Sequence, residues 1–250
     1  MSSIDNTLYD RLGEAWWAPR GPMAGLQQLN PVRAAYFESV CASTLRPHGP
    51  RLAGLRILDV GCGGGFLAEA LARAGADVSA VDRSVPTIEA ARRHAASTKL
   101  AIDYRSADAL ALPYTEGEFD AVVSSDFLEH VSDRLESVLA EQTRVLRPGG
   151  LLGFETINRT LLARVVLIWL AQDLLRVVPQ HLHDARLFIS PDTLAGTLGR
   201  LGLRVIDLQG VVPARGPLAF LWGYLTRRES GGFRLGRHIA VSYIGYALRS

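Results

Sequence analysis

Short apolar runs ended by glycine or polar residues alternate with amphipathic stretches along most of this chain. Residues 55–60 are apolar, partly β-branched and closed by Gly61, the pattern of a strand buried on both faces of a parallel sheet. Residues 78–81, 102–106, 119–124 and 151–156 repeat it, the last entered through a sharp Pro148-Gly149-Gly150 turn. Between them, 66–74, 85–96 and 135–145 carry helical patterning, with Ser84 placed to cap the second. Residues 191–201 predict a further helix capped by Ser190, 203–208 a strand, and 239–248 a last strand closing the sheet antiparallel. Strands separated by helices need crossover connections, so the fold class is α/β with a mostly parallel sheet.

Ahead of this core, residues 5–17 read as a helix, with Leu8, Leu12, Ala15 and Trp16 at helical spacing. Pro19 to Pro22 break it, and Asn30-Pro31 restarts a helix with proline in its first turn, running to about Thr44. Residues 1–50 are therefore expected to cap a single core domain, 51–250, with helices. An insertion at about 160–188 interrupts the alternation. Its residues 161–178 hold only Arg164, Asp173 and Arg176 as charges. On a helical wheel Ala163, Val166, Leu167, Leu170, Ala171, Leu174, Val177 and Val178 make one apolar stripe. Such a helix is too charged to span a membrane and unusually apolar for a surface lid.

The chemistry concentrates at the end of the first strand. Asp59-Val60-Gly61-Cys62-Gly63-Gly64-Gly65 places four glycines just before a helix, so backbone can approach a ligand closely and free N–H groups face it. A dinucleotide site wants G-x-G-x-x-G with a pyrophosphate on the helix N-terminus. That spacing is absent, which argues against a nicotinamide oxidoreductase, and Asp59 would repel a pyrophosphate. A carboxylate there suits a ligand ammonium, and Asp82, ending the second strand, suits a ribose diol. An amino acid joined to a nucleoside without phosphate is S-adenosylmethionine, which Asp59, Gly61, Gly63 and Asp82 are expected to hold.

These residues resemble the first motif of class I methyltransferases. Trp16-Trp17, Asn30-Pro31-Val32-Arg33, Leu128-Glu129-His130-Val131, Asn158-Arg159 and Val178-Pro179 with His183-Asp184 and Phe188-Ile189 narrow the resemblance to the ubiquinone-biosynthesis O-methyltransferases. The resemblance implies a Rossmann-like, seven-stranded sheet and methylation of a phenol oxygen on a polyprenylated quinone precursor. It implies that Arg33 meets the cofactor carboxylate, Asp108 the adenine amino group, and Ser125 the cofactor at the end of the fourth strand. Trp16-Trp17 either pack in the core or cover the pocket.

Asp126, Glu129 and His130 follow that strand at i, i+3, i+4. On a helical turn they share a face, where two carboxylates and an imidazole can hold a divalent ion that lowers a phenol's pKa. Magnesium suits the oxygen-rich set; alternatively the residues only order the loop. His183, beside Asp184 at the family's His-Asp position, is a candidate general base or metal ligand. The segment 210–237 departs from the family, where substrate is usually chosen.

Composition changes this picture in two ways. The 27 basic and 25 acidic residues give a net charge of +2 with no basic block, so nucleic acid is not an expected partner. Hydrophobic residues reach 48% and mean hydropathy is +0.13, and the surplus lies in the insertion. A lipophilic aromatic acceptor makes a helix lying in the membrane interface the expected use of 161–178. Two cysteines and no leader-like stretch at Met1–Asp10 point to a reducing interior, with the enzyme peripheral at the cytoplasmic membrane. A methyltransferase for another lipid or a specialised aromatic metabolite, and a cofactor-binding scaffold without catalysis, remain as alternatives.

Overall fold

The computed structural model describes residues 7–19, 21–46, 49, 51–166, 184–216 and 232–250. In chain order the strands are β1 (Arg56–Val60), β2 (Asp77–Asp82), β3 (Ile102–Ser106), β4 (Phe119–Ser125), β5 (Leu146–Ile157), β6 (Leu203–Pro213), β7 (Phe233–Gly236) and β8 (Ser242–Arg249). The longer helices are α1 (Thr7–Leu12), α2 (Ala24–Leu45), α3 (Phe66–Arg73), α4 (Val85–Ser97), α5 (Leu135–Val145), the single turn α6 (Leu161–Ala163) and α7 (Pro191–Arg200).

The sheet runs β3-β2-β1-β4-β5-β8-β6-β7. β3, β2, β1, β4 and β5 pair parallel, and β8, β6 and β7 continue antiparallel. The chain reverses direction beside β1, so the carboxyl ends of β1 and β4 flank the switch point where α/β sheets collect ligands. Seven strands were expected, and eight are present among the described residues. β6 does not stop at Leu208 but continues to Pro213, and its extension recruits Phe233–Gly236 as an antiparallel edge.

Both faces of the sheet are covered, which is why its strands read as apolar runs. Period-2 alternation sends Ile57, Ala121, Val123 and Leu151 toward α2, α3 and α4, and Leu58, Val60, Val122, Leu152 and Phe154 toward α5 and α7. The same alternation sends Asp59 and Glu155 to the first face and Thr156 to the second.

Four boundaries moved for physical reasons. The first helix stops at Leu12, because Gly13 turns with φ of +47° and a 3-10 segment, Gly13–Trp17, follows. α2 starts before Asn30, keeping Pro31 inside it; the start is secured by fully buried Met23 and by Gln27, whose side-chain amide bonds the carbonyls of Trp16 and Ala18. The Pro148-Gly149-Gly150 turn is absorbed into β5 as an irregularity: Phe119 faces Leu146, and two residues later Ala121 faces Leu151. β8 begins at Ser242 rather than at 239.

Of the insertion, residues 161–166 are described. Ala163 is buried against Ile157 and Phe188, whereas Leu161, Leu162 and Val165 are 81%, 51% and 48% exposed. Leu167 to His183 lie outside the described residues. Among the described residues no helix is long and apolar enough to cross a membrane.

Candidate active site

α2 brings Arg33 against the carboxyl ends of β4 and β5, where it is buried at 4% exposure. Its guanidinium pairs with Asp126 at 2.5 Å and with Glu155 at 3.0 Å. Glu155 also accepts the Ser125 hydroxyl, its register partner on β4. Asp126 begins the turn after β4 in the left-handed region, φ of +50°, which costs an L-residue ~1–2 kcal/mol and aims its carboxylate back at Arg33. Burial works against the charge on Arg33, but these carboxylates and Asp59 more than offset it and hold its pKa above the usual value.

Asp59, on β1, is 2% exposed, and its Oδ2 has no hydrogen-bond partner. Burial pushes its pKa up to about 7; Arg33 opposes the shift and Asp82 adds to it. Glu155 is fully buried with Oε1 unpartnered, and burial raises its pKa as well. Asp59, Asp126 and Glu155 therefore face one guanidinium, so carboxyl groups outnumber cations here.

The loop itself is braced from three sides. Asp82 accepts the N–H of Gly63 at 3.0 Å and of Ser84 at 2.9 Å, so the β2 carboxylate shapes the loop. Trp16, 3% exposed, lies against Gly63 and Gly64, where a β-carbon would fall 2.7 and 2.8 Å from its ring. Gly61 meets Phe127, whose ring would collide with any side chain there. The tryptophan pair therefore covers the loop and packs in the cap core at once, with Leu12, Met23 and Phe66. Asp108 follows β3 as expected, and its Oδ1 accepts the N–H of Leu110.

The turn after β4 departs from expectation. Leu128–Arg134 is a 3-10 segment interrupted at Val131, φ of −126°, so i, i+3, i+4 neighbours do not line one face. Asp126 lies outside it and is committed to Arg33. Glu129 is buried beside the end of β5, accepting the Thr156 hydroxyl at 2.8 Å with Oε1 unpartnered, and burial pushes its pKa up. His130 is half-buried, its N–H on the Phe127 carbonyl. Among the described residues no three His, Cys, Asp or Glu side chains are grouped to hold a metal ion. The expected magnesium set of Asp126, Glu129 and His130 is not assembled in this arrangement. His183 lies outside the described residues; its neighbour Asp184 caps a short turn through the N–H of Arg186.

Sequence reasoning missed Glu155. Its signal was a lone charge inside the apolar run 151–157, a position that tolerates a carboxylate only with a partner. It also missed the Trp17 contact to the loop, which links residues far apart in the chain.

Comparison with known proteins places this architecture. Residues 58–154 match a family described as methyltransferase domain. Magnesium protoporphyrin IX methyltransferase from Synechocystis, solved with bound S-adenosylhomocysteine, shares the fold with a TM-score of 0.66 at 19% identity, covering 98% of this chain and 95% of that one. The ubiquinone biosynthesis O-methyltransferase of Methylocella silvestris is 42% identical over 248 residues, 96% of this chain and 91% of the relative. That of Brucella anthropi is 41% identical over 217 residues, 86% of each chain. With sheet, glycine loop and length all in agreement, the chain belongs to the ubiquinone biosynthesis O-methyltransferases and is an S-adenosylmethionine-dependent O-methyltransferase.

Proposed function

We propose that the chain methylates a phenolic hydroxyl of a polyprenylated quinone precursor, at the carboxyl ends of β1 and β4. The observation that carries this reading is the buried Asp59 carboxylate, with one oxygen unpartnered, directly behind a glycine loop in a chain of this family. S-adenosylmethionine supplies an electrophilic methyl group and two cationic centres, which suit a pocket with surplus carboxylate. In this reading Asp59 holds the ammonium and Asp82 the ribose diol, with Gly61 and Gly63 admitting the ligand to the backbone. A guanidinium has five N–H donors, so Arg33 keeps donors for the ligand carboxylate beyond its two ion pairs. Ser125 and Asp108 border the same ligand at the ends of β4 and β3.

A phenol has a pKa of ~10, so transfer near neutral pH requires that its proton be taken. Among the described carboxylates Glu129 is best suited to take it, being buried, with one oxygen open and a raised proton affinity. Holding acceptor and donor in line contributes the remainder. The exposed Leu161, Leu162 and Val165 support a further part of the reading, in which 161–178 rests on the cytoplasmic membrane surface and admits the acceptor's tail.

The test is methyl transfer by purified protein to a short-tailed catechol, together with mass spectrometry of quinones from cells lacking the protein. An O-methylated product and an accumulated demethylated precursor are expected. Cofactor binding with no transfer to any phenol would make the chain a scaffold instead.

A further inference from the structure

Glu155 is the acidic residue to which the proposed chemistry gives no role. It is the one charge in the run 151–157 of β5, is fully buried, and has Oε1 unpartnered. Its other oxygen is ion-paired with Arg33 at 3.0 Å and accepts the Ser125 hydroxyl. Arg33 is already paired at 2.5 Å with Asp126 and is faced by Asp59, so neutralising Arg33 does not require a further carboxylate. A buried, incompletely partnered carboxylate is costly and points to a cation supplied by a ligand.

Methyl transfer changes the ligand's charge. The S–CH3 bond breaks as the phenolate O–CH3 bond forms, the electron pair stays on sulfur, and the phenol proton goes to the base. The donor enters with a sulfonium and leaves as a neutral thioether. The reacting sulfur has to come to the carboxyl end of β4, where Ser125 stands across from Glu155. We propose that Glu155 is a specificity-determining residue that makes the site hold the cationic methyl donor in preference to its uncharged product, S-adenosylhomocysteine. With the donor bound, the sulfonium offsets the carboxylate surplus; after transfer the surplus returns and loosens the product. The inference rests on the reading that the pocket of Asp59 and Arg33 holds this cofactor.

Isothermal titration of the full chain tests it with three ligands: S-adenosylmethionine, S-adenosylhomocysteine, and sinefungin, which carries an amine in place of the sulfonium. Glu155→Gln should weaken both cationic ligands by about tenfold, the size of one solvent-damped charge pair, and leave S-adenosylhomocysteine unchanged. Glu155→Asp should restore the preference, because it restores the charge. Should Glu155→Gln fail to fold, Glu155→Ser provides the same neutral comparison. Equal weakening of all three ligands would show that Glu155 only holds Arg33, and no weakening would show no role; either overturns the inference and leaves the binding reading intact. If the parent chain binds none of the three, both fall.

Discussion

The indole N–H of Trp17 donates to the carbonyl of Gly64 at 3.0 Å, tying residues 47 positions apart. The Trp17 ring also stacks on His94 at 3.4 Å, nearly parallel, and His94 Nδ1 lies 2.6 Å from Oε1 of fully buried Glu69. The N-terminal cap is therefore joined to the glycine loop, α3 and α4 by directional contacts rather than by apolar packing alone.

This brace should make the cap part of the cofactor site. Trp16→Ala should cost ~3–5 kcal/mol of stability, the range for removing a buried tryptophan, read from urea denaturation. Gly64→Ala should lower cofactor affinity with a smaller loss of stability, since its β-carbon would fall 2.8 Å from the Trp16 ring. Unchanged affinity in calorimetry would separate the cap from the site.

Asp82 is predicted to carry both loop shape and ribose recognition. Asp82→Ala leaves the Gly63 and Ser84 N–H groups without their acceptor. Cofactor binding should weaken by ~1–3 kcal/mol. A variant that binds as tightly as the parent would remove Asp82 from the site.

Cofactor affinity should rise with pH. Burial raises the Asp59 pKa from its ordinary value of 3.8 to about 7, so below that pH its carboxyl is protonated. A cationic ligand prefers the ionised form and binding expels the proton, so affinity climbs through pH 6–7 and levels above ~8. The stability of the ligand-free protein runs the other way. A raised folded pKa contributes stability fully below the unfolded value, and this is lost as pH rises through about 7. Calorimetry in buffers of different ionisation enthalpy measures the proton release, and Asp59→Asn should abolish the Asp59 part of it. A pH-independent affinity would count against the assignment.

Glu129 is predicted to act in catalysis and not in cofactor binding. Glu129→Gln keeps an acceptor for the Thr156 hydroxyl and should lower kcat by ~10²–10⁴ with the cofactor Kd unchanged. A parallel loss of cofactor binding would instead assign Glu129 to the pocket wall.

Replacing Leu161, Leu162 and Val165 together by serine tests the membrane reading. These side chains are exposed, so folding should survive. Each apolar side chain entering a bilayer contributes roughly 1.5–3 kcal/mol, enough in sum for reversible attachment. Co-sedimentation with anionic vesicles should fall sharply, while a water-soluble catechol is still methylated. Undiminished pelleting would mean that this edge does not meet lipid.

Where sequence and structure agree, local patterning decided the outcome. The strand, glycine turn and helix at 55–73 were legible because burial on both faces leaves unbroken apolar runs, and Ser84 and Ser190 cap their helices through backbone N–H groups three residues on. Disagreement arose where distant segments meet. Asp126 looked like a member of a helical trio because spacing assumes regular φ and ψ; its left-handed backbone and its ion pair with α2 are tertiary facts. Glu155 was hidden for the same reason, since its partners are Arg33 and Ser125, 122 and 30 positions earlier in the chain.

The packing of Phe127 on Gly61 carries one more consequence. Gly61 directly follows β1, and Phe127 lies in the turn after β4. With no side chain between them, the spacing of the glycine loop from that turn follows the backbones of β1 and β4, neighbours in register within the sheet. That spacing is thus set by paired strands rather than by a side chain. A larger residue at Gly61 would press on the Phe127 ring and push the loop and the turn apart.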